Sequence, residues 1–185
     1  MELHHFSHNI QLWKMNQRYA RHIMRHHETE QFGEYTFATG KVKYLKEIQI
    51  LHSQLFRVPM LNWLVWLYRF RSPELVSVVL DKEGKVVGYE CFMLNEGEIE
   101  QHILHGLYVG VHPSLQGKGI ATALRRYSIR TYDFGNLNAL STVSDMNDIK
   151  ALRSAQKAGY GIEKQALKPP GHYLVKHLTL GTATN

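Results

Sequence analysis

The spacing of apolar residues in the first part of the chain predicts helices. Apolar side chains recur at steps of three and four residues, which places them on one face of a helix. Three segments show this spacing, at residues 10–27, 42–56 and 60–70. Gly33 interrupts the pattern, and residues 34–38 predict a short strand. The amino-terminal part of the chain is therefore expected to be mainly helical.

Beyond Pro73 the pattern changes to the alternation that is typical of strands. Residues 75–80 are apolar and β-branched, residues 81–84 form a turn, and residues 85–94 are the predicted hairpin partner. Apolar side chains of one parity predict a third strand at residues 98–111. The remaining segments predict a helix, a strand, a second helix and a terminal pair of strands, at residues 119–131, 137–144, 148–158 and 162–180. This order indicates an α/β fold of the layered α+β type.

Length and composition indicate a domain with a core of its own. The chain has 185 residues, of which 44% are hydrophobic and 11% aromatic. A chain of this size removes roughly 70% of its unfolded surface from water. No run of uncharged apolar residues approaches the ~18 that a membrane span needs. We expect an N-terminal helical extension at residues 1–33 and one domain at residues 34–185.

Cysteine usage and the first residues favour a cytoplasmic location. Cys91 is the only cysteine, so the chain cannot form an intramolecular disulfide and has no zinc-ribbon spacing. The start of the chain carries His4, His5 and His8 instead of a basic segment followed by an apolar stretch. It therefore does not resemble a secretory signal.

The net charge of +6 favours anionic partners without choosing among them. Lysines and arginines are dispersed along the chain, and they form no motif that is typical of RNA or DNA recognition. We therefore expect neither a nucleic-acid partner nor a membrane partner.

One strand-to-helix junction, at residues 109–124, carries the clearest chemical signal. Gly117 and Gly119 flank Lys118 at the start of the predicted helix. Glycines let the backbone curl around an anion, while the unpaired first-turn N–H groups and the helix dipole attract it. The spacing matches neither a Walker loop nor a dinucleotide fingerprint. The segment is either a pyrophosphate-binding loop or an ordinary tight turn.

This junction resembles the acyl-CoA-binding motif of the GNAT superfamily of N-acetyltransferases. The motif is Gln/Arg-x-x-Gly-x-Gly/Ala, which Gln116, Gly119 and Ala121 match. A second block is similar to a later signature of the family. It comprises Asn147, Ala151-Leu152-Arg153 and Lys157-Ala158-Gly159-Tyr160.

The resemblance covers residues 34–180 and implies the GNAT fold. That fold is a mixed, mostly antiparallel sheet of about six to seven strands flanked by helices. It also implies an acyltransferase that moves an acetyl group from acetyl-CoA directly to a primary amine of a small molecule or peptide, without a metal. Edge strands of the terminal hairpin would allow a homodimer. Two alternatives stay open: a longer acyl-CoA or acyl-carrier-protein donor, and a non-catalytic CoA-binding sensor.

The resemblance also implies which residues bind CoA. The strand before the loop would hold the pantetheine arm, the loop would hold the pyrophosphate, and an asparagine would approach from the opposite side. These residues are Val109, Val111, Gln116, Gly117, Lys118, Gly119, Ile120, Ala121, Thr122 and Asn147.

His105 is the candidate general base. It lies six residues before Val111 with the same parity, on the strand that carries a Glu or a His base in GNAT relatives. An imidazole is suited to proton transfer at neutral pH. The alternative is a core histidine bonded to the backbone. His102 has the opposite parity, and Glu98 and Glu100 are interpreted as solvated charges at the strand edge.

The acid that would protonate the leaving thiolate is not assigned. Many relatives carry a tyrosine four residues before the glycine of the second block, and here that position is Ala155. Tyr160, Tyr132, Tyr108 or a water molecule are candidates. Cys91 lies within an apolar strand without an adjacent base, so it is interpreted as a buried structural thiol.

The third predicted helix is unusually aromatic. Trp63, Trp66 and Phe70 are interpreted as its core contact, with an apolar acceptor pocket or acyl channel as the alternative. His22 and His26 are four residues apart, a spacing that can bind a metal. No motif fixes a further ligand beside them, so a polar helix face is predicted.

Overall fold

A single mixed sheet of eight strands organises the part of the chain that the structure describes. The computed structural model describes the backbone of residues 2–167 and 169–180 and, within these ranges, the side chains from residue 7 onward. The strands are β1 (Glu30–Phe32), β2 (Tyr35–Thr39), β3 (Val76–Leu80), β4 (Val86–Met93), β5 (Ile103–Val111), β6 (Ala139–Asp145), β7 (Gly161–Leu167) and β8 (Pro170–His177). Their order is β1-β2-β3-β4-β5-β6-β8-β7, and only the neighbours β5 and β6 are parallel among the described strands. The predicted architecture is confirmed, with eight strands instead of six to seven.

Helices cover both faces of this sheet. They are α1 (Glu2–Ala20), α2 (Leu45–Phe56), α3 (Asn62–Leu75), α4 (Glu96–Ile99), α5 (Ile120–Tyr132) and α6 (Ile149–Ala158). We call the face that packs under Leu55 of α2 the α2 face, and the face that packs under Ile120 and Leu124 of α5 the α5 face. None of the helices in the described residues is long and apolar enough to cross a membrane.

The first helix differs from its predicted range of residues 10–27. It begins at Glu2 and ends at Ala20, and the chain then runs without helix toward β1. Arg25 explains the early end because its side chain is buried and donates to the carbonyl oxygen of Val76 at 2.8 Å. These tertiary contacts outweigh the local helical pattern.

The expected boundary between an extension and a domain falls at residues 33 and 34, in the turn that joins β1 to β2. Both of these strands belong to the sheet, and α1 packs against α3. The division of the chain into an extension and a domain stays a prediction.

The third helix continues through Pro73 to Leu75, beyond its predicted end at residue 70. Arg71 has non-helical dihedral angles, with φ −126 and ψ 21, and marks a kink. Pro73 follows this kink, at the start of a new helical turn. A residue in the first turn of a helix makes no intrahelical N–H bond, so the missing N–H of proline costs no hydrogen bond there. The proline therefore does not end the helix.

The aromatic stripe of α3 is only partly the core contact that was predicted. Trp63 packs against the core, but Trp66 and Phe70 are 53% and 54% exposed. The helix buries the stripe that includes Leu64 and Leu67, and at 100° per residue Trp66 lies on the far side of it. The two exposed rings stack on each other with centroids 6.4 Å apart. The prediction for these two residues is therefore wrong.

Candidate active site

The parallel strands β5 and β6 separate halfway along their length. Their ladder pairs residues 103–106 with residues 139–142, and at its end Thr142 Oγ1 donates to the carbonyl oxygen of Gly106 at 2.9 Å. A cavity of about 120 Å³ opens beyond this point. It is lined by Phe56, Glu90, Gly106, Leu107, Tyr108, Val109, Arg125, Thr142, Val143, Ser144, Asp145, Asp148 and Ala151. An extended ligand in this opening can pair with the peptide groups of β5 that face β6.

A β-bulge lies at the point where the strands separate. Cys91 of β4 pairs with Tyr108 and Phe92 pairs with Gly106, so Leu107 is an extra residue on β5. A bulge of one residue reverses the alternation of side chains along the strand. The bulge therefore turns the side chains on its two sides to opposite faces of the sheet.

This bulge overturns the expectation that His105 and Val111 share a face. Val111 packs with Ile120 on the α5 face. His105 instead makes its hydrogen bond to Ser141 beside Ile103, on the other face. His105 does not line the cavity, although its neighbour in the chain, Gly106, does.

The glycine loop has the backbone that its sequence predicts. Gly117 and Gly119 have φ +79 and φ +78, which non-glycine residues rarely adopt. Gly119 caps α5, and the first intrahelical hydrogen bond of α5 is donated by Ala123. The three preceding N–H groups of this helix are therefore oriented to bind an anion such as a pyrophosphate. Lys118 is exposed between the glycines and can add positive charge.

Of the other predicted cofactor residues, one lines the cavity and the rest make contacts close to it. Val109 lines the cavity, and Ile120 is buried beneath the loop. Gln116 Nε2 donates to the carbonyl oxygen of Val111 at 3.2 Å and so ties the loop to the end of β5. Thr122 Oγ1 donates to Ser154 Oγ of α6 at 3.4 Å. These two bonds tie the loop to β5 and α6, which line the cavity, although residues 116–122 are not part of the lining.

Asn147 lies in the exposed turn between β6 and α6. Its backbone N–H donates to Asp145 Oδ1 at 2.8 Å. Asp148 caps α6 by accepting from the backbone N–H of Ala151 at 2.9 Å. Both carboxylates line the cavity, whereas the Asn147 side chain is not part of its lining.

A buried polar cluster surrounds His105 on the α2 face. Its Nδ1 lies 2.9 Å from Ser141 Oγ and 3.4 Å from Glu98 Oε2. Glu98 Oε1 accepts the hydroxyl protons of Ser141 and Tyr173, the latter at 2.7 Å. Because the Ser141 hydroxyl donates to Glu98, it can only accept from His105, so we assign the proton to Nδ1. Nε2 is then the basic nitrogen of this histidine.

Glu98 is not the solvated strand-edge charge that was predicted. Residues 96–99 form α4, β5 begins only at Ile103, and Glu98 is 8% exposed. The spacing from Asn95 to Glu98 resembles a helix start, and Asn95 Nδ2 donates to Glu98 Oε2 at 2.6 Å. This Asn-x-x-Glu spacing is the signal that could have revealed the short helix. Glu100 is exposed, as expected for the solvated charge that was predicted.

Two opposing effects act on the carboxyl group of Glu98. Burial raises its pKa, but the hydrogen bond and charge of His105 and the hydroxyl donors of Ser141 and Tyr173 outweigh burial. The net effect lowers the pKa of Glu98 to about 2. A carboxyl group with a lowered pKa stabilises the fold above its ordinary pKa of 4.5 and loses this contribution as the pH falls toward 2. We therefore expect Glu98→Gln to lower the free energy of unfolding by up to roughly 3 kcal/mol at neutral pH. Urea unfolding at a series of pH values measures this effect.

The difference between wild type and Glu98→Gln should shrink on acidification, whereas the exposed Glu100→Gln should track wild type at every pH. An equal loss of stability in Glu98→Gln at about pH 3 and about pH 7 would contradict the assignment of an ionised, paired carboxylate.

The structure separates the three candidate tyrosine acids. Tyr132 and Tyr160 are buried outside the cavity lining, and the hydroxyl of Tyr132 donates to the carbonyl oxygen of Glu74 at 2.6 Å. Tyr108 lines the cavity and packs against Phe56. Burial raises the pKa of Tyr108, so its hydroxyl stays protonated and can donate. Tyr108 is therefore the candidate of these three that a bound ligand can reach.

Two further predictions concern thiol chemistry and metals. Cys91 is fully buried, and burial raises the pKa of its thiol, which confirms a structural role. No group of three or more His, Cys, Asp or Glu side chains that could hold a metal occurs in the described part of the chain.

Sequence reasoning missed two charged residues that line the cavity. Glu90 lies in the middle of β4 and Arg125 lies on the buried side of α5, and their side chains approach to 3.3 Å. The signal was present in the pattern, because each residue places a charge where its element is otherwise apolar.

Known proteins share this fold. The family model described as the Acetyltransferase (GNAT) family matches residues 42–160, more than half of the chain. A ribosomal-protein-S5-alanine acetyltransferase from Vibrio fischeri is 16% identical with a TM-score of 0.66, over 82% of this chain and 97% of that one. A phosphinothricin acetyltransferase from Sinorhizobium meliloti in complex with AcCoA is 18% identical with a TM-score of 0.66, over 82% and 92%. Naa50 from Arabidopsis thaliana, in complex with the bisubstrate analogue CoA-Ac-MVNAL, is 17% identical with a TM-score of 0.65, over 77% and 98%. No curated protein sequence matches the chain at a significant level.

Proposed function

Because the chain belongs to the acetyltransferase (GNAT) family, we propose that it transfers an acetyl group from acetyl-CoA directly to a primary amine of its acceptor. The observation that supports this proposal is the cavity between the separated strands β5 and β6, which lies beside the glycine loop. An extended pantetheine arm fits the opening, and the N–H groups at the start of α5 would hold the pyrophosphate. The relatives with bound AcCoA share this fold.

The proposed reaction needs a neutral amine, a polarised carbonyl and a stabilised leaving group. The amine nitrogen forms a bond to the thioester carbon, and the C–S bond breaks with its electron pair going to sulfur. His105 Nε2 accepts the proton that the amine loses. Glu98 and Ser141 hold the imidazole in the tautomer that leaves this nitrogen free.

The position of His105 supports an acceptor route on the α2 face. Its cluster lies on the α2 face together with Tyr173 of the terminal hairpin. We therefore propose that the amine enters between α2 and the hairpin β7–β8, while CoA enters beside the glycine loop. The relatives named above act on a protein, a peptide analogue and a small molecule, so the acceptor class is left to experiment.

A titration of acetyl-CoA into the wild-type protein, followed by a transfer assay with a panel of amines, tests the proposal. The panel should contain peptide N-termini, polyamines and amino acids, and longer acyl-CoA thioesters should be assayed in parallel. We expect saturable binding of acetyl-CoA and acetylation of at least one amine class. Transfer from longer thioesters alone would favour the N-acyltransferase alternative, and binding without transfer would favour a sensor. Failure to bind any thioester would refute the proposal.

Two further expectations accompany this function. We propose a cytoplasmic location, since the one thiol is buried and no disulfide can form within the chain. We also propose that the exposed edge of β7 permits a homodimer. Sedimentation velocity measures the second of these directly.

A further inference from the structure

A buried ion pair forms part of the cavity wall. Arg125 Nη1 of α5 donates to Glu90 Oε1 of β4 at 3.3 Å, and the two side chains are 4% and 1% exposed. The other carboxylate oxygen accepts from Ser128 Oγ at 2.7 Å. Charges this deeply buried are costly unless they are paired or serve a ligand.

The ion pair belongs to a larger cluster with an excess of positive charge. Ser128 Oγ lies 2.8 Å from Ser77 Oγ, which accepts from the buried guanidinium of Arg25. The cluster thus connects one carboxylate, Glu90, with two guanidinium groups. Burial raises the pKa of Glu90 in spite of the attraction by Arg125, which weakens the negative side further. Among the described residues, the hydrogen-bonded cluster behind the cavity wall therefore contains two guanidinium groups and one carboxylate.

Two buried polar groups beside this wall have only each other as a partner among the described residues. They are Nε of Arg125 and the hydroxyl of Tyr160, and the Arg125 guanidinium lies 5.7 Å from the centroid of the Tyr160 ring. A guanidinium group carries five N–H donors, and those of Arg125 are shared only with Glu90 and the Tyr160 hydroxyl among the described residues. Because Arg125 also lines the cavity, its remaining donors are available to an anion or acceptor there.

The carboxylates that line the same cavity occupy a different part of it. Asp145 and Asp148 are exposed, and each accepts a backbone N–H from its own turn. The outer border is therefore acidic, and Arg125 in the buried wall is the cationic side chain among the described residues that line the cavity. A negative charge that develops inside the cavity is attracted to the side of Arg125.

We propose that the guanidinium of Arg125 stabilises the CoA thiolate as it leaves, with Glu90 as a positioning residue that holds the guanidinium. This inference rests on the proposed function, since it takes the cavity as the thioester site. The C–S bond breaks, sulfur keeps the electron pair, and the amine proton goes to His105. The thiolate then takes a proton from water after release. Ala155 is buried and has no side-chain donor that could perform this task.

The direct test compares the binding of CoA and desulfo-CoA to the wild-type protein as a function of pH. If Arg125 stabilises the thiolate, binding lowers the pKa of the CoA thiol, and CoA should bind more tightly than desulfo-CoA at alkaline pH. Each unit by which the thiol pKa falls corresponds to a gain of about tenfold in this ratio of affinities. We expect a rise of about tenfold between about pH 7 and about pH 9. A preference that does not change with pH in the wild-type protein overturns the inference without any variant.

Variants then assign the effect to Arg125. Arg125→Met leaves Glu90 without its partner, so the double variant Glu90→Gln/Arg125→Met restores a neutral pair and protects the fold. Both should bind desulfo-CoA as wild type does, lose the pH-dependent preference for CoA and lower kcat about 10- to 100-fold. Arg126→Met, which removes the same charge from the exposed side of α5, should keep the preference and the rate.

The possible outcomes separate the two proposals. A double variant that keeps the pH-dependent preference overturns the role of Arg125, because the thiolate is then stabilised by another group. Loss of desulfo-CoA binding in the double variant would show a merely structural role and also overturn the inference. Failure of the wild-type protein to bind either CoA or desulfo-CoA would instead refute the proposed function.

Discussion

Gly119→Glu is expected to lower the affinity for acetyl-CoA at least a hundredfold. Gly119 caps α5, and no heavy atom lies within 4 Å of the point where a Cβ would stand. A glutamate there would extend into the space proposed for the pyrophosphate and place a negative charge where the N–H groups attract an anion. A factor of a hundred corresponds to about 2.8 kcal/mol, which is the scale of one lost charge-assisted contact plus repulsion. Calorimetric titration measures the loss.

The hairpin turn between β3 and β4 supplies a matched control. Gly84 has the same φ of +78 as Gly119 and equally open surroundings. Gly84→Glu therefore imposes a similar backbone strain, roughly 1 to 2 kcal/mol, at a site remote from the loop. It should lower thermal stability about as much as Gly119→Glu while leaving acetyl-CoA binding intact. Equal affinity in the two variants would show that the loop does not bind the cofactor.

The glycine loop could be predicted from sequence because its conformation is a local property. Two positive-φ glycines and a helix start fit within a few consecutive residues, and the sequence pattern of this junction specifies them without help from the rest of the fold. The succession of strands along the chain was predictable for a related reason, since alternation and turn residues mark each of the central strands. Sequence patterns are most informative where neighbours along the chain determine the structure.

The arrangement around His105 could not be predicted because it depends on a single extra residue. The bulge at Leu107 leaves the apolar alternation on each side intact, so parity counted across it assigns the wrong face. The same limitation hid Glu98, whose four-residue helix is too short for a periodic pattern. Which face a side chain occupies was decided here by the pairing of β4 with β5.

Buried charges were the other feature that the sequence left open. Arg25, Arg125 and Glu90 come from the segment after α1, from α5 and from β4, and only the folded chain brings them together. Local pattern favoured a first helix that continues to residue 27, yet the carbonyl oxygens that Arg25 binds lie some fifty positions further along the chain. Long-range polar contacts of this kind override propensity and have no local signature.

His105→Gln is expected to lower kcat for acetyl transfer about 100- to 10,000-fold while the Kd for acetyl-CoA stays unchanged. The imidazole is the group that would accept the amine proton, and its Nδ1 is held by Ser141 so that Nε2 is free. Glutamine keeps much of the shape and can still bond to Ser141, but it cannot accept a proton at neutral pH.

His102 is the matched control for this experiment. It lies three residues earlier, is exposed, and is the same residue type. His102→Gln should leave kcat and its pH dependence as in wild type. If His105→Gln instead retains kcat, the proton is accepted by another group. Tyr108, the candidate tyrosine that lines the cavity, cannot take that role, because burial keeps its hydroxyl protonated. Loss of kcat together with a weaker affinity for acetyl-CoA would place His105 in a binding role instead.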